Sequence, residues 1–221
     1  MHILALGQSN VASHGRPKAA SAVGRLHWNG DFLPLNDPLQ GGTGRDGSVW
    51  TRVAPRLAEA GLSRDPVFTV LAQGGTAVAD WAPGGKCFAI LEAALPTLLR
   101  CLVPVSHVVF HQGERDTLLG TDRAAYRDSF AALKARVDAD LPVPWILCRA
   151  SYRFGVTSAE VRAAQVALAQ DDPMVVSGPD TDQFGSDCRH DDTHFNALGL
   201  DRFAAALVAS LSPADPPFGA S

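Results

Sequence analysis

Five short apolar runs that do not alternate with polar residues constrain this chain most. They are His2–Leu6, Val67–Ala72, His107–His111, Val143–Cys148 and Met174–Ser177, rich in Val, Ile, Leu and Phe. A strand with one face in water alternates, whereas a run apolar at every position reads as a parallel strand covered on both faces. Between these runs lie segments of helical spacing: Val49–Ala60, Phe88–Cys101, Asp122–Ala139, Ser158–Gln170 and Ala197–Leu211. Strand alternating with helix predicts an α/β fold, helices packed around a parallel sheet with right-handed crossovers. Ser48, Thr157 or Ser158, and Asn196 stand where helix caps belong, Thr157 and Glu160 have capping-box spacing, and Pro213 follows the last helix.

At 221 residues the chain fits one domain, with 212–221 read as a frayed tail. A hydrophobic share of 46% with 19% charged residues is that of an ordinary globular protein. The formal net charge of -4 and the lack of a long basic run give no case for nucleic acid. No apolar stretch approaches the roughly 20 residues of a membrane helix. The first residues lack a basic segment and a leader-like core, so the sequence as given reads as cytoplasmic, or as secreted if a leader was removed. Cys87, Cys101, Cys148 and Cys188 form no Cys-x-x-Cys pair and read as free thiols. The longest irregular stretch, Asn10–Gly47, leaves the end of the first strand, where open α/β sheets bind ligands.

Four segments carry chemistry. Gly7-Gln8-Ser9-Asn10 sets a hydroxyl directly after the first strand. In Asp191-Asp192-Thr193-His194, an Asp three residues before a His can fold back to accept the Nδ1–H and leave Nε2 as a general base. His190 and Asp192 leave that register open. Gln112, in His111-Gln112-Gly113-Glu114, ends a strand and can aim its amide at a developing oxyanion. Gly74-Gly75-Thr76 follows the second strand, and its glycines let backbone N–H groups approach a substrate oxygen. All four lie at one sheet edge, and their roles complement one another: nucleophile, oxyanion donors, and a base with its orienting carboxylate.

The order of these blocks resembles the SGNH/GDSL hydrolase superfamily, and more narrowly its sialate O-acetylesterase-like and carbohydrate acetylesterase branch. The matching residues are Gly7-Gln8-Ser9-Asn10, Gly74-Gly75-Thr76 with Trp81, Phe110-His111-Gln112-Gly113-Glu114-Arg115-Asp116, and Asp191 with His194. Phe110 stands where the branch usually has Trp, Val11 where Met is common, and Phe195 where Pro or Leu often follows the His. The resemblance implies a flavodoxin-like three-layer sandwich with a five-stranded parallel sheet of order 2-1-3-4-5. It implies a serine esterase acting on short acyl, chiefly acetyl, esters of a carbohydrate. Ser9, Asp191 and His194 would be catalytic, with an oxyanion hole from Ser9, Gly74 or Gly75, and Gln112. Gln8, Asn10, Glu114 and Arg149 are candidates for substrate contact, with orientation of the Gln112 loop the alternative for Glu114 and an ion pair for Arg149.

No cofactor or metal is expected, although His111, Glu114, His190, Asp191, Asp192 and His194 offer ligand atoms without helix spacing. Two other readings stay open. An O-acyltransferase would use the same residues with a sugar hydroxyl as acceptor. A non-catalytic flavodoxin-like module would hold a phosphate or nucleotide after the first strand but leaves Asp191 and His194 unexplained. Trp28, Trp50 and Trp81 are candidates for sugar stacking or for packing; His2 and His107 read as strand histidines, and His14, His27 and His111 lie nearer the expected cleft. Oligomeric state is not legible.

Overall fold

The computed structural model describes residues 1–211. The expected tail and Pro213 lie outside them. In chain order the elements are β1 (His2–Gly7), β2 (Ala20–Trp28), β3 (Asp31–Asn36), α1 (Trp50–Glu59), β4 (Val67–Ala72), α2 (Phe88–Leu99), β5 (His107–His111), α3 (Glu114–Leu119), α4 (Arg123–Asp138), β6 (Trp145–Arg149), α5 (Ala159–Asp171), β7 (Val175–Asp180) and α6 (Ala197–Leu211). One sheet joins all seven strands in the order β3-β2-β4-β1-β5-β6-β7.

The five apolar runs become β1, β4, β5, β6 and β7, and they pair in parallel in the expected relative order. The sheet nevertheless has seven strands, which corrects the five-stranded flavodoxin-like expectation. Two strands come from the stretch read as irregular. β2 runs parallel to β4, and β3 returns antiparallel along its outer side. Asn29 and Gly30 join them with φ of 51° and 93°, the two positive values of a type I′ hairpin. Pro34 inside β3 lacks an N–H, which an outermost strand tolerates.

Alternate residues of β1 face opposite layers. Ile3 and Ala5 join Val53 and Leu57 of α1 and Phe203 and Leu207 of α6 in one buried cluster. Leu4 and Leu6 join Leu91 and Leu95 of α2, Phe130 and Leu133 of α4 and Val161 of α5 in the other. Both faces of the central strands are therefore dry, as their non-alternating sequences require. Fully burying one such Leu or Phe contributes about 1.5–3 kcal/mol.

Two of the expected caps hold. Ser158 accepts from the Val161 N–H at 3.3 Å, and Asn196 Oδ1 accepts from the Gly199 N–H at 3.1 Å. Ser48 does not cap α1: Val49 takes the cap position, and the buried Ser48 hydroxyl has no partner. All four cysteines are free, with Cys87, Cys148 and Cys188 buried. Among the described residues no helix is long and apolar enough to cross a membrane.

Candidate active site

β1 ends on Gly7, whose φ of 141° belongs to glycine, and a Cβ there would meet the His111 carbonyl oxygen at 2.1 Å. That close approach lets the chain leave the sheet tightly, and Ser9–Val11 turn at once into one 3₁₀ turn. The Trp50 indole N–H holds this turn from beneath by donating to the Val11 carbonyl at 2.8 Å. Ser9 is only 2% exposed, yet its Oγ has no hydrogen-bond partner among the described residues. A buried hydroxyl without a partner is costly, a state that Ser9 shares with Ser48 and with several buried groups beneath the cleft.

The loop before α6 supplies the imidazole. Asp191 Oδ1 accepts from the backbone N–H of Thr193 at 3.1 Å and of His194 at 2.7 Å, while Oδ2 lies 2.7 Å from His194 Nδ1. Burial pushes the Asp191 carboxyl up, but the two bonds from His194 and its positive charge outweigh it and hold the pKa down to about 2. An ionised Asp191 makes Nδ1 the donor, so Nε2 is the acceptor in the neutral ring. The neighbours that left the register open are engaged elsewhere. Asp192, at φ 59°, accepts from the Tyr152 hydroxyl at 2.5 Å, and His190 Nε2 lies 3.0 Å from the His14 carbonyl.

Ser9 and His194 line one open cleft of about 310 Å³ with His14, Thr43, Gly74, Gly75 and Arg153. The His14 ring stacks on His194, centroids 5.0 Å apart and planes 22° apart. Burial, then the His194 charge, lowers the His14 pKa. His14 Nε2 lies 3.1 Å from Thr43 Oγ1, which also accepts the Gly74 N–H at 2.7 Å. The Gly74 N–H is thus occupied, whereas the N–H groups of Ser9 and Gly75 have no partner among the described residues. A larger cavity of about 430 Å³, beside Phe32 and Arg100, includes none of the motif residues.

The other motif residues lie beneath the cleft. Asn10 donates to Glu114 Oε1 at 2.8 Å and to the Thr193 carbonyl at 3.2 Å, which ties the Ser9 turn to the His194 loop. Arg189 also donates to that carbonyl. Burial pushes the Glu114 carboxyl up, opposed by the bond from Asn10. Gln8 Oε1 accepts from the Arg115 N–H at 3.2 Å. The Gln112 amide gives one hydrogen to the Thr76 carbonyl at 3.0 Å and the other to Asp116, one turn along in α3. No hydrogen of that amide is left for the cleft, which does not fit the oxyanion role expected for Gln112. Nor do Gln8, Asn10 and Glu114 line the cleft, as substrate contacts would; all three are buried. Arg149 faces Asp180 at 3.6 Å, the ion-pair alternative.

The aromatic and histidine candidates also divide. Trp50 and Trp81 are fully buried, Trp81 donating to Thr76 Oγ1 at 3.0 Å, so they support turns rather than meet a sugar. His2 and His27 both bond Thr69, and His111 bonds Thr181, all three buried. His190, Asp191 and His194 bring ligand atoms within 4.8 Å of one another. Of these atoms, Asp191 Oδ2 and His194 Nδ1 already bond each other. Thr43 and Arg153 were not singled out in the sequence. Their signals were the neighbouring glycines Gly41, Gly42 and Gly44, and the Phe154-Gly155 turn with φ of 49° and 79°.

Comparison with known proteins adds a family and a fold. Residues 1–212 match the model of the family described as carbohydrate esterase, sialic acid-specific acetylesterase. Among solved structures, a protein from Arabidopsis thaliana superposes with a TM-score of 0.74 at 18% identity, covering 96% of this chain and 98% of that one. An acetylxylan esterase from Geobacillus stearothermophilus gives 0.61 at 14% identity, covering 95% and 93%. A carbohydrate acetylesterase from Xanthomonas citri gives 0.59 at 16%, covering 95% of this chain and 55% of that one. Among curated proteins no relative is detected. These structural likenesses concern the fold, whereas the family model spans nearly the whole chain: the protein belongs to the sialic acid-specific acetylesterase family of carbohydrate esterases and is a carboxylic ester hydrolase.

Proposed function

We propose that the protein hydrolyses acetyl esters of a carbohydrate through a Ser9-His194-Asp191 triad and an acyl-enzyme. One observation carries the reading: Ser9, whose buried hydroxyl has no partner among the described residues, lines the same cleft as a His194 whose Nδ1 is held by Asp191.

Ser9 Oγ attacks the ester carbonyl carbon while its proton passes to His194 Nε2. Asp191 stabilises the imidazolium and keeps the ring in the productive tautomer. The carbonyl electron pair moves onto oxygen, where the N–H groups of Ser9 and Gly75 hold it, both lacking another partner among the described residues. Collapse expels the sugar alkoxide, which takes the proton from His194. Water then repeats the sequence on the acyl-enzyme and releases acetate. Gln8, Asn10, Gln112, Glu114 and Asp116 act from below, by fixing the three turns that meet at the cleft.

The test is a p-nitrophenyl ester series with wild type and Ser9→Ala, together with fluorophosphonate labelling. Acetate is hydrolysed faster than butyrate, label is found on Ser9, and Ser9→Ala lowers kcat by about 10⁶-fold. Equal rates from both proteins remove Ser9 as nucleophile.

A further inference from the structure

We propose that His14 is a positioning residue that ties the oxyanion turn to the base: it fixes the Gly74-Gly75 turn through Thr43 and backs the ring of His194. The inference rests on the esterase reading above, in which the Gly75 N–H holds the oxyanion and His194 takes the proton. No proton or electron pair passes through His14 itself in that reaction.

Thr43 is fixed by its backbone, which donates to the Ala72 carbonyl at 2.9 Å and accepts from the Ser13 N–H at 3.0 Å. Its Oγ1 accepts the Gly74 N–H at 2.7 Å and lies 3.1 Å from His14 Nε2. A hydroxyl has one hydrogen to give. If Nε2 carried a proton, Thr43 would accept twice, and its own hydrogen would have no acceptor among the described residues. A bare Nε2 satisfies all three groups. The donor chain therefore runs from the Gly74 N–H to Thr43 and from the Thr43 hydroxyl to His14. Burial, then the His194 charge, holds the His14 pKa below the usual histidine value, which keeps that nitrogen bare near neutrality. With the Gly74 N–H taken, Gly75, at φ 71°, is left with the N–H that has no partner among the described residues.

The same residue reaches the base. Asp191 holds the His194 ring by one edge, a bond about which the ring can still swing; the stacked His14 ring, 5.0 Å away between centroids, covers one face. The His14 carbonyl also accepts from His190 Nε2 at 3.0 Å, in the loop that carries the base. His14 is itself clamped. Gly15 and Gly47 exchange backbone bonds of 2.8 and 2.6 Å, and the Arg16 N–H donates to the Phe195 carbonyl at 2.9 Å. A Cβ on Gly44 would lie 2.7 Å from His14 Cδ2, and one on Gly74 3.3 Å from Nε2, so glycine at both positions leaves the ring its room. Donor and base are thus set by one side chain before substrate arrives, and preorganised groups cost no rearrangement when charge develops.

Steady-state kinetics on p-nitrophenyl acetate test the tie. Thr43→Val and His14→Phe cut the chain, and each lowers kcat about 10-fold with KM within about 2-fold, the pattern of an interaction used in the transition state. Thr43→Ser keeps the hydroxyl and recovers most of that loss. Combining Thr43→Val with His14→Phe slows the enzyme no further, because both changes break one chain. His14→Ala removes the stacked ring as well, and kcat falls about 100-fold. An unchanged kcat, a loss confined to KM, additive losses, no recovery in Thr43→Ser, or His14→Ala no slower than His14→Phe overturns the proposal. A second measurement needs no turnover: imidazole nitrogen NMR of histidine-labelled protein, the signal missing from His14→Phe being that of His14. Nε2 reads as bare in wild type and its signal moves in Thr43→Val; a protonated Nε2, or one blind to Thr43, overturns the tie. If Ser9→Ala hydrolyses as fast as wild type while that signal still reports Thr43, the esterase reading fails and the tie stands.

Discussion

The rim of the cleft and the floor beneath it differ in what their polar groups face. On the rim, Ser9 Oγ, the N–H groups of Ser9 and Gly75, and the Arg153 Nε lack partners among the described residues. On the floor, Asn10, Gln112, Glu114 and Asp116 bond one another and the backbone of the turns above, yet one oxygen of each side chain is also buried without a partner among the described residues. An unsatisfied polar group costs folding energy on either level, but the rim residues line the cleft, where a ligand or reacting atom can complete them, and the floor residues do not. Neither motif membership nor hydrogen-bond accounting alone separates the two kinds; position on the cleft does.

If that division is right, substitutions on the rim change chemistry at little cost in stability, and those on the floor do the reverse. Asp191 sits where the two meet and gives the largest effect in this group. Asp191→Asn keeps the shape but can leave His194 in the wrong tautomer, and kcat falls about 10⁴-fold. A loss below 10-fold would mean that the base is oriented by something other than Asp191. The cost in stability follows from the same bonds. The depressed carboxyl stabilises the fold above its unfolded pKa of about 3.9, and that contribution fades as pH falls toward the folded value of about 2. Asp191 therefore does not explain stability changes near neutrality.

Buried histidines do. Burial lowers His2 and His111 to about 4, His111 also facing the Arg189 cation, so both are neutral in the fold. Their contribution is fully present above the unfolded histidine pKa of about 6.5 and is lost as pH falls from there toward 4. Each accounts for at most about 3 kcal/mol across that window. Melting temperature should drop steeply between those pH values, and His2→Gln or His111→Gln should flatten the drop. An unaltered slope in both variants would move acid sensitivity to the rim histidines.

The architecture was legible where dryness on both faces forces apolar runs: each of the five runs lies within two or three residues of its strand. β2 and β3 escaped notice because Pro34 and a polar, glycine-rich surrounding mask an edge hairpin, although Asn29-Gly30 is a strong hairpin signal. At the site, the nucleophile turn and the Asp-x-x-His spacing are local features and therefore readable. That spacing favours Asp191, but what engages His190 and Asp192 was not readable, since it depends on Tyr152 and His14 from distant loops. The direction of Gln112 was equally hidden: it is set by Asp116 on a six-residue helix too short to announce itself by periodicity.

Gln112 accordingly gives the sharpest test of the division, though the smallest effect. Its side-chain amide joins the Thr76 carbonyl to Asp116, while its backbone carbonyl accepts from Tyr126 and Gln165 at 2.9 Å each. Gln112→Ala keeps the backbone bonds but leaves the Thr76 carbonyl and one Asp116 oxygen short of a donor and opens a small cavity. The expected loss of stability is about 2 kcal/mol, read from a denaturant midpoint. Asp116 would lose one of the bonds that oppose the upward push of burial on its carboxyl, so the loss should shrink in acid, where Asp116 is protonated in both proteins. Activity falls only as far as the Gly75 turn loosens, less than about 10-fold in kcat with KM rising alongside. The opposite pattern, a fall in kcat of about 10²–10³-fold with KM and stability untouched, is what a lost oxyanion donor produces. That result would turn Gln112 toward the cleft during turnover and erase the boundary between floor and rim at the one residue where sequence and structure disagree most.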